Sequence, residues 1–410
     1  MPQSRRVTLR RRRLAVFGSL LIALVGVGYL GATGLAPVPA SAATISQPAD
    51  LTQPTTEPAW PSFGEGAIGA VGFPGVLASH GEQASVPIAS ITKMVTALVV
   101  LDAKPLAAGE AGPDITFTDA DIDLYYKSLA ENGSVATVVS GMVLSEREAF
   151  EAMLLPSANN YAASLAVWAY GSEKGYLTAA NSWLQAKGLT DTVVADTSGI
   201  SSSSVSSPAD LVELAKLAVG NPALAEIVAM PAAVLPTIGR VTNTNKLLGT
   251  GGVDGIKTGT TDAAGACLLF STDLTVGGET VTLVGVVLGG DTHGELNDAI
   301  AALIASVKPG FQDVDLAAKG DSFGSYTTKW GQTADAVAGE DASVLVWSDT
   351  PVTGAITARN MTVGQTGDSV GDVDFTVGDR SVSVPLVLDE PLTGPGPGWR
   401  FSHPGELAAG

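Results

Sequence analysis

Ser90 and Lys93 stand three residues apart at the head of an apolar run that begins Ser90-Ile91-Thr92-Lys93-Met94. On a helix, an i, i+3 pair shares one face, one turn apart. That spacing sets an amine beside a hydroxyl. A serine hydroxyl is a poor nucleophile at neutral pH and needs a base within hydrogen-bond reach. Lysine serves as that base only when neutral, and both desolvation and a second cation lower its pKa. Met94, Val95 and Leu98 offer apolar surroundings, and Lys257 is a candidate second cation. Free backbone N–H groups at a helix start can also stabilise a developing oxyanion.

Two further polar motifs follow in order. Ser157-Ala158-Asn159 sits between Leu154-Leu155-Pro156 and a second helical stretch. Ser157 is placed to relay a proton toward a leaving amine, and Asn159 to hydrogen-bond a substrate amide. Lys257-Thr258-Gly259-Thr260 follows Val253-Asp254-Gly255-Ile256. Gly259 would let an extended peptide lie against the backbone. Lys257, with the hydroxyls of Thr258 and Thr260, would bind a terminal carboxylate. Taken singly, each motif also reads as a helix cap, a turn or a polar strand. Taken together and in order, they describe a serine acyl enzyme whose base is a lysine.

Other chemistries find less support. His80, His293 and His403 lie far apart, and Cys267 is the single cysteine. No His/Cys cluster has metal-ligand spacing, so no metal and no cofactor is expected, and no disulfide can form within the chain. No histidine lies near a nucleophile signature. The charge is divided: residues 1–42 hold six of the 22 basic residues and none of the 41 acidic ones. The remainder sets 16 basic against 41 acidic groups. Such a surface repels nucleic acid and suits an exported domain, where any anionic substrate must be held by local lysines.

The elements that must position these residues follow from pattern. Residues 1–43 join a basic flank, Arg10 to Arg13, to the charge-free stretch Leu14 to Ala36. That stretch is long enough to span a bilayer, with the flank kept in the cytoplasm. Ala40-Ser41-Ala42 is a small-residue cleavage site, so a membrane anchor and a cleaved signal both fit. Residues 44–63, with four prolines, read as an extended linker. Residues 64–310 predict strands around Ala67–Ala78 and helices over Ser90–Asp102, Ser145–Leu155, Asn160–Tyr170, Pro208–Val219 and Glu295–Val307. Two apolar runs flank Gly277-Gly278, a hairpin signal. This is an α+β pattern with one antiparallel sheet. Residues 311–395 read as a small all-β domain, and residues 396–410 as a tail.

The motifs and their flanks resemble the low-molecular-weight penicillin-binding proteins of the D-alanyl-D-alanine carboxypeptidase type, peptidase family S11. Pro87-Ile88-Ala89-Ser90-Ile91-Thr92-Lys93-Met94 is similar to that family's nucleophile segment. Leu154-Leu155-Pro156-Ser157-Ala158-Asn159-Asn160 and Val253 to Thr261 resemble its second and third motifs. Asp196-Thr197-Ser198-Gly199, Asn245-Lys246-Leu247-Leu248 and the ending Trp399-Arg400 with His403-Pro404 also resemble segments of family members. The resemblance covers roughly residues 60–310 well. It implies a serine transpeptidase/β-lactamase-like fold with Ser90 acylated, Lys93 its base and Ser157 a proton relay. It further implies substrate binding by Asn159, Lys257, Thr258 and Thr260, and an oxyanion hole from the N–H groups of Ser90 and Thr260. The implied partners are peptidoglycan stem peptides and, as inhibitors, β-lactams. The implied location is extracytoplasmic, tethered or secreted. Two departures stand out: Gly81–Pro87 has no basic residue before the nucleophile, and Glu406–Gly410 is too short for a C-terminal anchor helix. The neighbouring readings are an endopeptidase or transpeptidase of the same superfamily, a class A β-lactamase and a non-catalytic wall-binding protein. The lactamase reading needs a deacylating glutamate, yet none of Glu173, Glu213 and Glu226 sits in an E-x-x-L-N pattern.

Overall fold

The computed structural model describes residues 3–407, which fall into two units. One unit is Thr55–Gln312; the other joins Met1–Pro54 to Asp313–Gly410.

The Thr55–Gln312 unit is built on a five-stranded antiparallel sheet. Its strands run, in spatial order, Val253–Thr261, Gly265–Val276, Glu279–Gly290, Glu65–Ala70 and Ala78–His80. Gly277 (φ 58°) and Gly278 (φ 91°) supply the left-handed pair that a tight hairpin requires between the two long central strands. The edge strand Val253–Thr261 pairs only with Gly265–Val276, in a register that sets Thr260 opposite Ala266.

The helix Thr92–Ala103 carries the nucleophile's lysine and runs through the core, with Thr92 to Leu101 all buried. A helix apolar on every side belongs inside, which is why this segment shows no clean amphipathic stripe. The helices Glu146–Leu154, Asn159–Tyr170 and Pro208–Val219 surround it, and the last of these packs against the sheet. Ser145 and Glu148 form the reciprocal capping box that their spacing suggests. Ser207, followed by Pro208, caps the helix Pro208–Val219.

Three helices escaped sequence reasoning: Asp119–Ala130, Glu173–Ala186 and Pro222–Val228. Their caps were legible. Thr118 with Asp121 forms a capping box, Ser172 caps the second helix, and Asn221 caps the third ahead of Pro222. Two of them offer little apolar pattern to read: Asp119–Ala130 buries only Ser128, and Pro222–Val228 is seven residues long.

In the other unit, the long helix Gln3–Leu35 includes Val7–Leu35, a stretch that is long and apolar enough to cross a membrane. The six-stranded antiparallel sheet runs Ala43–Ile45, Ser322–Thr327, Thr333–Ala338, Arg380–Leu388, Ser369–Val377 and Val352–Ala358. Its core gathers Tyr326, Val370, Phe375, Val384 and Leu386. The expected linker over residues 44–63 is therefore not free along its length. Ala43–Ile45 is an edge strand in register with Tyr326 to Gly324, and Leu51 bridges Val352. A three-residue edge strand needs no apolar run, so prolines around it dominate the reading. The expected tail also holds structure, the short helices Pro397–Ser402 and Pro404–Leu407. Residues 408–410 of that tail, and residues 1 and 2, lie outside the described residues.

Candidate active site

Ser90 occupies a 3-10 turn, Ala89–Ile91, immediately before the helix Thr92–Ala103. Ala89 holds φ 45°, a left-handed value uncommon outside glycine and costly for the chain to keep. Gly199 explains how it is held. With φ 84°, Gly199 lies so close that a Cβ there would fall 1.8 Å from the Ala89 carbonyl oxygen. Only glycine meets both demands.

Lys93 is fully buried and lies at the centre of the site. Its Nζ is 2.7 Å from Asn159 Oδ1, 3.1 Å from the Ser198 carbonyl oxygen and 2.8 Å from Ser90 Oγ. Two of those partners are pure acceptors. A neutral amine has two N–H groups and one lone pair. With both N–H groups donated to Asn159 and Ser198, the lone pair faces the Ser90 hydroxyl, whose O–H can donate to it. Electrostatics favour that neutral state. Burial pushes the Lys93 pKa well below the ordinary lysine value; Lys257 lowers it further, and Asp196 opposes them more weakly.

Ser198 belongs to a loop that Asp196 organises. The Asp196 carboxylate accepts the backbone N–H groups of Ser198 (2.6 Å), Ser201 (2.7 Å) and Gly199. Thr96, one turn beyond Lys93, donates to the Thr197 carbonyl at 2.7 Å and meets the Tyr176 hydroxyl at 2.7 Å.

The edge strand brings the third motif alongside. Lys257 is 2% exposed, and burial draws its pKa down to about 7. Its Nζ donates to the Thr258 carbonyl at 3.0 Å and to the Thr258 hydroxyl at 3.4 Å. Thr244 Oγ1 meets Thr258 Oγ1 at 2.6 Å. Thr260 is exposed, and its hydroxyl lies 2.6 Å from His293 Nε2. Burial, and then the nearby Lys257, lower the His293 pKa. An open cleft of about 780 Å³ continues past this strand end, lined by Thr260, Thr261, Asp262, Gly290, Asp291 and Glu131 among others.

The structure gives several sequence-chosen residues different work. Gly259 does work that the sequence did not suggest. Its missing side chain points at the nucleophile turn, where a Cβ would meet the Ile88 carbonyl at 2.9 Å, Ala89 Cβ at 3.2 Å and Ser90 N at 3.3 Å. The glycine lets the strand close on Ser90. Gly259→Ala should therefore displace one from the other, at the ~1–3 kcal/mol typical of overpacking. A lowered melting temperature together with slowed acylation would check this; an unchanged melt would show that the turn can yield. Asn159 contacts Lys93 and also lines a small pocket with Lys127, Asp196 and Ser198. Ser157 does not cap the following helix, since Ala158 takes that position. Its buried Oγ has no hydrogen-bond partner among the described residues. Each of the three glutamates weighed as deacylating bases is in an ion pair: Glu173 with Lys127, in a small pocket that Asn159 and Ser198 also line, Glu213 with Lys216 and Glu226 with Arg147. Sequence reasoning missed His293 as a neighbour of the site; it singled out Asp196-Thr197-Ser198-Gly199 by resemblance but assigned that segment no contact with Lys93.

Comparison with known proteins agrees with this geometry. A family model described as D-alanyl-D-alanine carboxypeptidase, peptidase S11, matches residues 74–292. A D-alanyl-D-alanine endopeptidase of Pseudomonas aeruginosa is 32% identical over 207 residues, covering 48% of this chain. The match spans less than two thirds of that relative, 63% of its length. Among solved structures, a D-alanyl-D-alanine carboxypeptidase of Francisella tularensis superposes with a TM-score of 0.57 at 18% identity, over 82% of this chain and 94% of that one. A variant of a Streptomyces DD-transpeptidase gives 0.54 at 26% identity, over 60% of this chain and 98% of that one. These likenesses establish the serine DD-peptidase fold, an α+β arrangement of antiparallel sheet and helices with a strand-rich C-terminal region.

Proposed function

Because this chain belongs to the D-alanyl-D-alanine carboxypeptidase family of serine peptidases, we propose that it removes the terminal D-alanine of peptidoglycan stem peptides through an acyl-enzyme on Ser90. The observation that carries the reading is the fully buried Lys93 amine 2.8 Å from Ser90 Oγ.

The steps follow from the residues. Ser90 Oγ attacks the carbonyl carbon of the penultimate D-alanine as its proton passes to Lys93 Nζ. The oxygen that becomes negative sits between the N–H groups of Ser90 and Thr260. The contact of Gly259 with Ser90 N supports that placement, because it sets the strand beside the nucleophile. Collapse breaks the C–N bond, and the departing amine takes up a proton relayed through Ser157, whose hydroxyl is unbonded until substrate arrives. Water then attacks the ester as Lys93 takes its proton; collapse breaks the acyl C–Oγ bond, and Lys93 returns that proton to Ser90 Oγ as the shortened peptide leaves. Thr258 and Thr260, backed by the buried Lys257, bind the free carboxylate; Asn159 holds Lys93 and is available to the substrate amide. The work lies outside the cytoplasm, where peptidoglycan is, and β-lactams would acylate the same serine.

A second reading is endopeptidase activity. The Pseudomonas relative carries that name, and the cleft beyond Thr260 is open rather than walled. Incubation with a monomeric pentapeptide ending in D-Ala-D-Ala, and separately with a cross-linked peptide dimer, distinguishes the two. Free D-alanine from the monomer is the expected result. Cleavage of the dimer with no D-alanine from the monomer would overturn the carboxypeptidase assignment.

A further inference from the structure

Thr96 follows Lys93 by three residues on the helix Thr92–Ala103, so the two side chains share a face one turn apart. Both reach out of the helix to the same loop. Lys93 Nζ donates to the Ser198 carbonyl at 3.1 Å, and Thr96 Oγ1 donates to the carbonyl of the preceding residue, Thr197, at 2.7 Å. A threonine inside a helix commonly bonds the carbonyl four residues back. Here that contact, to Thr92, is stretched to 3.4 Å, and the short bond is the one that leaves the helix. Tyr176, on the helix Glu173–Ala186, places its hydroxyl 2.7 Å from Thr96 Oγ1. Thr96 and Tyr176 are both fully buried.

Counting hydrogens fixes the direction of each bond. A carbonyl only accepts, so the single Thr96 O–H is committed to Thr197. The Tyr176 hydroxyl must then supply the hydrogen for its contact with Thr96. Burial raises the Tyr176 pKa, so that hydrogen stays in place. The chain therefore runs one way, from Tyr176 to Thr96 to the Thr197 carbonyl. A donor into a hydroxyl strengthens what the hydroxyl donates in turn. The same loop is held from its other side by Asp196, which takes the N–H groups of Ser198, Gly199 and Ser201. Asp196 ties down N–H groups within the loop; Thr96 ties a carbonyl to the helix that carries the base.

We infer that Thr96 and Tyr176 are positioning residues for acylation: they hold the Thr197–Ser198 segment against the helix, which keeps the Ser198 carbonyl on Lys93 and the Lys93 amine on Ser90. This role rests on the acyl-enzyme function proposed above. Among the three contacts of Lys93 Nζ, the one to Ser198 is the longest, 3.1 Å against 2.8 Å to Ser90 and 2.7 Å to Asn159. It is the first that a loop shift would break. A neutral amine that loses one acceptor is free to turn its lone pair away from the Ser90 hydroxyl. Misplacement of a reacting group by about 1 Å can cost ~10²-fold in rate. Neither Thr96 nor Tyr176 needs to touch substrate for this, so the effect belongs to the rate of acylation and not to binding.

The test follows acylation of the full chain, in detergent, over a range of β-lactam concentrations. That separates the saturating rate constant from the half-saturating concentration. Thr96→Ser keeps the O–H and should match the wild type in both. Thr96→Val should lower the rate constant roughly tenfold or more and leave half-saturation unchanged. It should also melt at a lower temperature, because the Tyr176 hydroxyl is left buried without a partner. Tyr176→Phe alone keeps the bond from Thr96 to Thr197 and should slow acylation least. Adding Tyr176→Phe to Thr96→Val removes the stranded hydroxyl, so the double variant should regain melting temperature while acylation stays slow. Should Thr96→Val fold poorly, the double variant carries the comparison. A rate constant that recovers together with the melting temperature would overturn the inference, as would Thr96→Val acylating like the wild type. A wild-type protein that takes up no β-lactam on Ser90 would overturn the proposed function itself, and the wild type is measured first.

Discussion

Arginine at position 93 should leave the protein folded but almost unable to acylate. The Lys93 amine works by accepting the Ser90 proton, and a guanidinium stays protonated throughout the accessible pH range. Loss of base catalysis typically costs ~10²- to 10⁴-fold. The site has no substitute base in hydrogen-bond contact with Ser90: the partner residues of Lys93 are an amide oxygen and a backbone carbonyl, both already acceptors. Because Lys93 is fully buried, a bulkier side chain could also disturb packing. Lys93→Met, near in shape and unable to take a proton, separates the two effects. Both variants should acylate slowly, and circular dichroism should report a native fold for Lys93→Met. The wild-type pH profile gives a companion measurement. The active form is the neutral amine, so acylation rises as pH passes upward through the Lys93 pKa. Burial and Lys257 place that rise below the ordinary lysine range. A Lys93→Met variant that acylated at a near-normal rate would show the residue to be structural.

Removing the Lys257 charge should produce two separable losses. The first is affinity for a free carboxylate. A hydrogen bond to a charged group contributes about 1.5–3 kcal/mol. Lys257→Ala should thus lower kcat/KM for a free-carboxylate peptide by roughly one to two decades at 1.36 kcal/mol per decade. An amidated peptide lacks the charge and should lose much less. Measuring both peptides with both enzymes completes a double-mutant cycle. The second loss acts through Lys93. Lys257 is among the groups lowering the Lys93 pKa, so its removal should shift the rise of the acylation profile to higher pH. Burial holds Lys257 near pH 7 in the free protein, and a bound carboxylate should favour its charged form. Equal losses on the two peptides would remove Lys257 from carboxylate recognition and leave it only its effect on Lys93.

What the sequence made legible was local. The Ser90–Lys93 spacing works because three residues on a helical path are neighbours wherever the helix goes. The capping box at Ser145 and the hairpin at Gly277-Gly278 are likewise complete within a few residues. The misses are contacts between distant segments or contacts made by backbone. The Ser198 carbonyl accepts a hydrogen bond from Lys93 Nζ across 105 residues, and a carbonyl has no residue signature. His293 reaches Thr260 across 33 residues only because Gly290, just ahead of its helix, pairs with Ala266, which in turn pairs with Thr260. Gly259 shows a subtler failure. Its smallness was readable, but which of its two faces needed the space depended on where the Ala89–Ile91 turn packs. Ala43–Ile45 was hidden for a similar reason, since its partner strand lies in residues 322–327.

The most direct test of the whole account is the site of covalent attachment. The protein is exposed to a β-lactam, its intact mass is taken, and the adduct is mapped to a peptide. A single stable adduct on Ser90, absent from Ser90→Ala, is the expected result, because Ser90 lies 2.8 Å from the lysine amine and none of the three glutamates considered for deacylation sits in an E-x-x-L-N pattern. An adduct on any other residue, or turnover of the drug at many cycles per second with no adduct retained, would contradict it.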